Sequence, residues 1–191
     1  MGGDYSDEFI ASQVTSGQND LFRLLIRRYN RPVYGMGMSF FRNAEDASDF
    51  AQEVFLKVYR SLPRFEARSR FSTWLYKIAY NTAINGINRR KEYQAGNRTD
   101  FRSLAELDFE LIDGDTPERQ AIRNAARDAV LASVRELPER YRVCIDLFFF
   151  YDCSYREIEV ITGFPVNTIK SHVFRAKKLL REKLGGIKGV T

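Results

Sequence analysis

Between Phe65 and Lys91 the chain gathers the side-chain types best suited to holding an unpaired nucleic-acid strand. The run FEARSRFSTWLYKIAYNTAINGINRRK interleaves rings, amides and cations. Rings stack on bases, amides match base edges, and cations hold phosphates. Stacking contributes about 1–3 kcal/mol per base, enough to help trap a base that has left a duplex. The 3.6-residue period predicts a helix here, with Phe71, Trp74, Leu75, Ile78 and Thr82 on a core-facing side. Tyr76, Lys77, Tyr80, Asn81, Ile84 and Asn88 fall on the other side, which is unusually aromatic for a solvated face. Arg64, Arg68 and Arg70 precede the helix, and Arg89, Arg90 and Lys91 follow it. Two descriptions fit: a nucleic-acid face, or a buried aromatic helix with a solvated basic flank.

A second basic helix lies near the C-terminus. Asp152-Cys153-Ser154 caps a helix over SYREIEVITG, with Ile158 and Ile161 inward and Gly163 closing it. Pro165 then starts another, from Val166 to about Leu184. A helix, a glycine-containing turn and a basic helix make the helix-turn-helix pattern. Ile169, Val173, Ala176 and Leu180 are expected to face inward. Thr168, Lys170, Ser171, Phe174, Arg175 and Lys178 form the outer flank, the polar and basic set needed to meet base edges and phosphates in a major groove. The alternative is a basic amphipathic helix with no groove to fill; charge, capping and helix order agree on DNA.

The elements that must position these two faces read as helices throughout. Asp7–Tyr29 gives one or two, with Phe9, Ile10 and Val14 on a first apolar face and Gly17–Asp20 as a turn capped at Asn19 or Asp20. Pro32 is expected to end or restart the helix that follows. Asn43–Asp46 opens an amphipathic helix to about Leu62, burying Ala47, Phe50, Ala51, Val54, Phe55, Val58 and Leu62. Its other face presents Asp49, Gln52, Glu53, Leu56 and Arg60: either a small docking patch with an apolar anchor, or a solvated face with a stray leucine. From Glu92 to Thr116 periodicity fails, with Gly96, Gly114 and Pro117 as breakers and a short turn expected around Leu104–Leu111. Thr116-Pro117-Glu118 starts a helix that Leu137-Pro138-Glu139 breaks, and a further helix runs from Glu139 to Tyr151. The fold class expected is all-α: two small helical domains, 1–92 and 120–191, joined by a flexible acidic linker over 93–119, the C-terminal domain a helix-turn-helix.

Composition limits the partners. The 191 residues carry 30 Lys+Arg against 25 Asp+Glu, a net of +5, which favours a polyanion. The charge is blocked: Arg64–Glu92 has seven basic residues against two acidic, Pro165–Lys183 six against one, and Tyr93–Arg119 three against seven. Two cysteines and one histidine leave too few ligands for a structural zinc site, so no metal and no cofactor are expected. Cys144 and Cys153 read as buried small hydrophobes. No basic leader opens the N-terminus and no apolar run nears the roughly 18–20 residues of a membrane span, which points to a cytoplasmic protein. No phosphate-binding glycine loop, H-E-x-x-H or paired-metal carboxylate cluster is found, and one histidine is poor equipment for acid–base work. A nucleic-acid enzyme is therefore disfavoured.

Three stretches, DASDFAQEVFLKVYRSLPRF (46–65), RFSTWLYKIAYNTAINGINRRK (70–91) and LPERYRVCIDLFFFYDCSYREIEVITGFPVNTIKSHVFRAKKLL (137–180), taken in this order, resemble a bacterial RNA polymerase sigma factor of the extracytoplasmic function type, group 4 of the sigma-70 family. The resemblance spans nearly all of the chain but the linker. It implies a non-enzymatic subunit that binds core RNA polymerase and directs initiation at particular promoters. Asp49, Gln52, Glu53 and Leu56 would dock on the coiled coil of the polymerase's largest subunit, with the flap as a further contact. Phe65, Lys77, Tyr80, Asn81 and Asn85 would capture the non-template strand of the −10 element, Asn81 reading a flipped base, while Arg89, Arg90 and Lys91 hold phosphates. Thr168, Lys170, Ser171, His172, Phe174, Arg175 and Lys178 would meet the −35 duplex. An anti-sigma factor is a further implied partner and, where membrane-bound, would hold the chain near the inner membrane.

Two positions depart from the family pattern. Some members carry an arginine in the helix before the helix-turn-helix that touches −35 DNA; here Leu147–Phe150 is wholly apolar. His172 stands where a basic residue is usual, and both a phosphate contact and plain solvation stay open for it. The competing function is a helix-turn-helix regulator that binds promoter duplex without polymerase and leaves the Asp49–Leu56 face unexplained.

Overall fold

The computed structural model describes residues 5–94 and 129–184, with side chains placed for all of these but 91–94. The chain divides into two compact units. The N-terminal helices are α1 (Asp7–Thr15), α2 (Phe22–Phe41), α3 (Ala44–Ser61) and α4 (Phe71–Gln94), with single 3₁₀ turns at Asn19–Leu21 and Leu62–Arg64. The C-terminal helices are α5 over 129–135, α6 (Glu139–Ile145), which widens into a π turn at Asp146–Phe150, α7 (Tyr155–Thr162) and α8 (Val166–Leu184). No strand occurs among the described residues, and α7, a turn at Gly163 and α8 supply the helix-turn-helix. The expected linker, its turn at 104–111 and the helix start at 116–118 lie outside the described residues.

Helix α3 forms as its sequence dictates. Asn43 in extended conformation accepts from the Asp46 amide at 3.0 Å, and Glu45 and Asp46 place negative charge at the positive end of the helix. Every apolar residue expected inward is buried, Leu62 included. Complete burial of each branched side chain contributes about 1.5–3 kcal/mol.

Pro32, by contrast, does not end α2, which runs through it as one helix of 20 residues. A mid-helix proline costs about 3 kcal/mol. Leu25 before it and Val33, Met36 and Met38 after it are all buried, so breaking the helix would forfeit more. Gly37 lets α2 and α3 approach closely: a Cβ there would sit 2.8 Å from Phe50 Cδ1 and 3.0 Å from Ala47 Cα.

Helix α4 packs on both α2 and α3, so its buried sector is wider than one stripe. Phe71, Thr73, Leu75, Tyr76, Ala79, Thr82 and Ala83 are all buried. Tyr76 therefore belongs to the core rather than the outer face, its ring edge-on to Tyr29 at 6.1 Å. Trp74 and Ile78, expected inward, are only half-buried.

Helix α1 is capped by Ser6, which accepts from the Phe9 amide at 3.2 Å. Ile10, Ala11 and Val14 are buried, whereas Phe9 is exposed and stacks on Tyr5 at 5.0 Å. Neither Asn19 nor Asp20 caps α2: the chain passes through Gly17, at φ +103°, into a 3₁₀ turn without a side-chain cap. Asp7 accepts from Arg28 Nη1 at 2.6 Å and from the Tyr29 hydroxyl, and Glu8 accepts from the Phe71 amide at 3.1 Å. Burial, and then the hydrogen bond to Asp7, drive the Tyr29 phenol well above its ordinary range.

In the C-terminal part, Ser154 and Glu157 form a reciprocal capping box on α7: each amide donates to the other's side chain, at 2.9 and 3.3 Å. Asp152 and Gly163, at φ +50° and +75°, turn the chain into and out of α7. Ile158, Ile161, Ile169, Val173 and Ala176 are buried as expected, and Leu180 half-buried. Cys144 and Cys153 are buried thiols, that of Cys153 donating to the Tyr151 carbonyl at 3.5 Å; burial pushes Cys144 up to about 12.

Gly37→Ala tests the α2–α3 contact. Alanine raises helix propensity by up to about 1 kcal/mol, but overpacking against Phe50 and the Ala47 backbone costs typically 1–3 kcal/mol. The expected net is a lower denaturation midpoint, read by calorimetry or urea titration.

Candidate nucleic-acid interface

The outer face of α4 is narrow. Lys77, Asn81 and Asn85, spaced four apart, lie on one line and all are exposed, with Asn88 continuing it. At 1.5 Å per residue the line from Lys77 to Asn85 spans about 12 Å. Tyr80 sits beside it, half-buried, its ring 6.1 Å from Phe40. Above Lys77, one turn toward the N-terminus, Trp74 meets Phe65 at 5.0 Å, and Phe65 also lies edge-on to Phe71 at 5.6 Å. Phe65 is thus a half-buried wall rather than a free ring. The loop it opens turns at Ala67, a non-glycine at φ +52°, between exposed Glu66 and Arg68 paired at 2.7 Å.

The cations expected on phosphates have internal partners. Arg90 pairs with Asp46 and lies 4.8 Å over the Phe41 ring, and Arg89 reaches Glu53 at 3.9 Å. The Lys91 side chain lies outside the described residues. Glu53 also pairs with Lys57 at 2.7 Å, and Lys57 donates to the buried Thr82 hydroxyl at 3.1 Å. Of the four docking candidates on α3, Asp49, Gln52 and Leu56 are exposed, and Glu53 is drawn toward α4. Leu56 stands out at 56 % exposure. The sequence reading missed Tyr59, three residues on and also exposed, which packs edge-on to Phe22 at 5.1 Å and enlarges the apolar anchor. Its spacing from Leu56 was the available signal.

On α8, Lys170, Ser171, Phe174, Arg175 and Lys178 are exposed, Phe174 to 70 %, whereas Thr168 is half-buried. The Ser171 hydroxyl donates to the Asn167 carbonyl at 3.0 Å. Arg175 Nη1 donates to the Tyr141 hydroxyl at 3.4 Å, which holds that phenol below its usual range. The apolar stretch before the helix-turn-helix is only partly core: Leu147 is buried, while Phe149 and Phe150 are exposed. The Lys177 ammonium sits 5.0 Å over the Phe149 ring and 5.9 Å over Phe148. Lys177 is a further cation on the flank of Phe174 and Lys178 that periodicity left unassigned.

His172 is half-buried between Tyr141 and Phe164, with Nδ1 3.7 Å from Cys144 Sγ. Burial first, then the positive charges of Arg140 and Arg175, lower its pKa below 6.5. The imidazole is therefore neutral at pH 7 and fills a ring niche rather than carrying charge. Among the described residues no cluster of His, Cys, Asp or Glu is arranged to hold a metal. No helix among them is long and apolar enough to cross a membrane. Because the folded chain holds the His172 proton less tightly than the unfolded one, stability is complete above about pH 6.5 and falls as pH drops below it. His172→Phe is expected to remove that part of the pH dependence, measured as urea midpoints at pH 7.5 and 5.

Comparison with known proteins gives the family. Residues 25–93 match the model of Sigma-70 region 2 and residues 127–180 that of Sigma-70, region 4. The chain is 34 % identical over 185 residues to the RNA polymerase sigma-H factor of Pseudomonas aeruginosa, covering 93 % of each. It is 32 % identical over 188 residues to the ECF RNA polymerase sigma-E factor of Escherichia coli K12, covering 96 % of this chain and 97 % of that one. Among solved structures, CnrH in complex with the cytosolic domain of CnrY shares the fold at TM-score 0.67 and 22 % identity, covering 96 % of this chain and 99 % of CnrH. RpoE of Bartonella quintana, solved with the anti-sigma factor NepR, does so at 0.69 and 22 %, covering 87 % and 98 %. Two sigma-70 regions in the right order, on a chain matched almost end to end, make this protein a member of the extracytoplasmic function group of the sigma-70 family.

Proposed function

We propose that the chain is a non-enzymatic specificity subunit that docks on core RNA polymerase, captures the melted −10 strand and grips the −35 duplex. Residues 1–92 carry the first two tasks and 120–191 the third, with 93–119 joining them. The observation that carries this reading is the exposed line Lys77–Asn81–Asn85 on a helix packed against both α2 and α3, with Phe65 and Trp74 walling its upper end. Amides and an ammonium at one-turn spacing, beside half-buried rings, suit an unstacked base and its backbone. Asn81 is assigned to the flipped base. Binding energy for that base offsets unstacking, which costs a few kcal/mol.

Leu56 and Tyr59, ringed by Asp49 and Gln52, form the polymerase-facing patch, with Glu53 at its edge. The largest subunit's coiled coil is its proposed partner and the flap that of the C-terminal part. A regulator working without polymerase has no use for this patch. Lys170, Ser171, Phe174, Arg175 and Lys178 meet the −35 groove, and Lys177, steadied by Phe149, takes a phosphate in place of the arginine that other members hold nearby. Neutral His172 supports that surface from behind, with Thr168 at its edge. CnrH and RpoE were each solved with a bound partner, NepR being named an anti-sigma factor; a partner of that kind is proposed for this chain, which acts in the cytoplasm and near the inner membrane where that partner is membrane-bound.

Run-off transcription with core polymerase on genomic promoters tests the whole reading, and two variants separate its surfaces. Asn81→Ala should leave core binding intact and reduce open complexes by about 10-fold or more, as expected for a lost base contact of about 1–3 kcal/mol. Leu56→Asp should instead weaken core binding. A chain that never supports initiation ends the proposal.

Lys177→Gln should lower the slope of log affinity against log salt by about 0.9 for holoenzyme on promoter duplex, the value for one phosphate contact. An unchanged slope removes Lys177 from the interface.

A further inference from the structure

Helix α4 begins at a residue pair that cannot cap it. Arg70 carries no acceptor, the Ser69 hydroxyl points to the Arg70 carbonyl at 3.4 Å, and the first turn of α4 holds no acid. The opening amides of a helix have no partner inside it and need one elsewhere. For Phe71 the partner is Glu8 on α1, whose Oε1 accepts from its amide at 3.1 Å across 63 positions of sequence. The adjacent carboxylate, Asp7, binds Arg28 and Tyr29 on α2. Two consecutive acids thus pin α1 to α2 with one and to the start of α4 with the other. Both lie outside the stretch matching Sigma-70 region 2, which begins at residue 25.

The start of α4 is where the Phe65–Arg70 loop is aimed. Phe71 touches Phe65, Trp74 and Tyr29, and Trp74 with Phe65 forms the wall above Lys77 and Asn81. The loop's turn at Ala67 is in a left-handed conformation that costs a non-glycine residue energy and persists only where its ends are held. Leu62 holds one end, through its carbonyl on the Phe65 amide at 3.0 Å. Glu8 holds the other.

We infer that Glu8, anchored through Asp7, is a positioning residue for the −10 pocket: it fixes the first turn of α4 and so the wall against which the flipped base is held. This rests on the −10 reading above. Neither acid need touch DNA, and the contacts of both are with α2 and the start of α4.

The test compares Glu8→Gln, which keeps the acceptor, with Glu8→Ala, which removes it. In the free chain, hydrogen exchange at the Phe71 amide should accelerate by about 10-fold in Glu8→Ala, the size of a lost cap, and by much less in Glu8→Gln. With core polymerase, on a promoter the wild type opens, Glu8→Ala should bind core within twofold of wild type, by order-of-magnitude reasoning on distant sites. It should also lose most of its discrimination among single-stranded oligonucleotides carrying each base in turn at the −10 positions. Glu8→Gln should keep that discrimination. Discrimination unchanged in Glu8→Ala, equal loss in both variants, or core binding falling in parallel would each overturn the inference while leaving the sigma reading standing. Failure of the wild type itself to initiate would overturn both.

Discussion

The two-sided burial of α4 is the constraint from which its exposed line follows. Because the helix packs on α2 and α3 together, only Lys77, Asn81 and Asn85 are exposed over its middle turns, with half-buried residues on either side. Asn81 lies on that line because both neighbours in sequence are pinned: Tyr80 leans on Phe40, and Thr82 is buried with its hydroxyl accepting from Lys57. Successive residues differ by 100° around the axis, so turning α4 by one position would replace Asn81 with a buried threonine or a packed tyrosine. Small residues make the fit possible. Ala79 and Ala83 are fully buried, and a Cβ on Gly86 would stand 3.1 Å from Phe41 Cζ.

The same packing explains why the basic end of α4 is not a cluster of free cations. Arg89 and Arg90 reach back to Glu53 and Asp46, which relieves repulsion between adjacent positive charges in the free chain. Such exposed pairs contribute only about 0–1 kcal/mol, so they offer little resistance to the phosphate contacts proposed for these arginines. The guanidiniums are oriented without being committed. Glu53 accordingly stands between two surfaces, the face of α3 proposed for docking and the basic end of α4, whose charge it balances.

Period and capping carried most of the architecture. Asn43 and its spacing to the buried face marked α3 to within a residue, and Asp152-Cys153-Ser154 with Gly163 marked α7 and the turn after it. What pattern could not show was set by tertiary neighbours. Pro32 stays inside a helix because residues on both sides are buried. Tyr76 moves from the outer face to the core because α4 has two partners where an amphipathic helix is assumed to have one. His172 looked like a position for a cation, but Tyr141 and Phe164, far apart in sequence, enclose it. For the site, residue type and spacing were enough to place Lys77 and Asn81 on one face, and the family resemblance added Asn85, which lies on the same line. The tying up of Arg89 and Arg90 and the pairing of Lys177 with Phe149 depend on contacts that no local window contains.

The caps set the two helices assigned to DNA apart from α1, α3 and α7. Helices α3 and α7 carry their own N-caps, Asn43 and Ser154, and can define their first turns locally. Helices α4 and α8 are supplied from outside: Glu8 of α1 accepts from the Phe71 amide, and Glu159 of α7 accepts from the Val166 amide at 3.1 Å. A self-capped helix can form before it docks; one capped by a distant carboxylate gains its first turn only when the neighbour is in place. In both cases the neighbour's acid fixes where the helix begins, and through the helical phase it fixes which side chains face outward. For α8 that neighbour is the first helix of the helix-turn-helix, so the angle of the motif and the start of its second helix are set by one contact. For α4 it is α1, Asp7–Thr15, a helix that lies before the matched region, so through Glu8 that helix takes part in placing the surface proposed for the −10 strand.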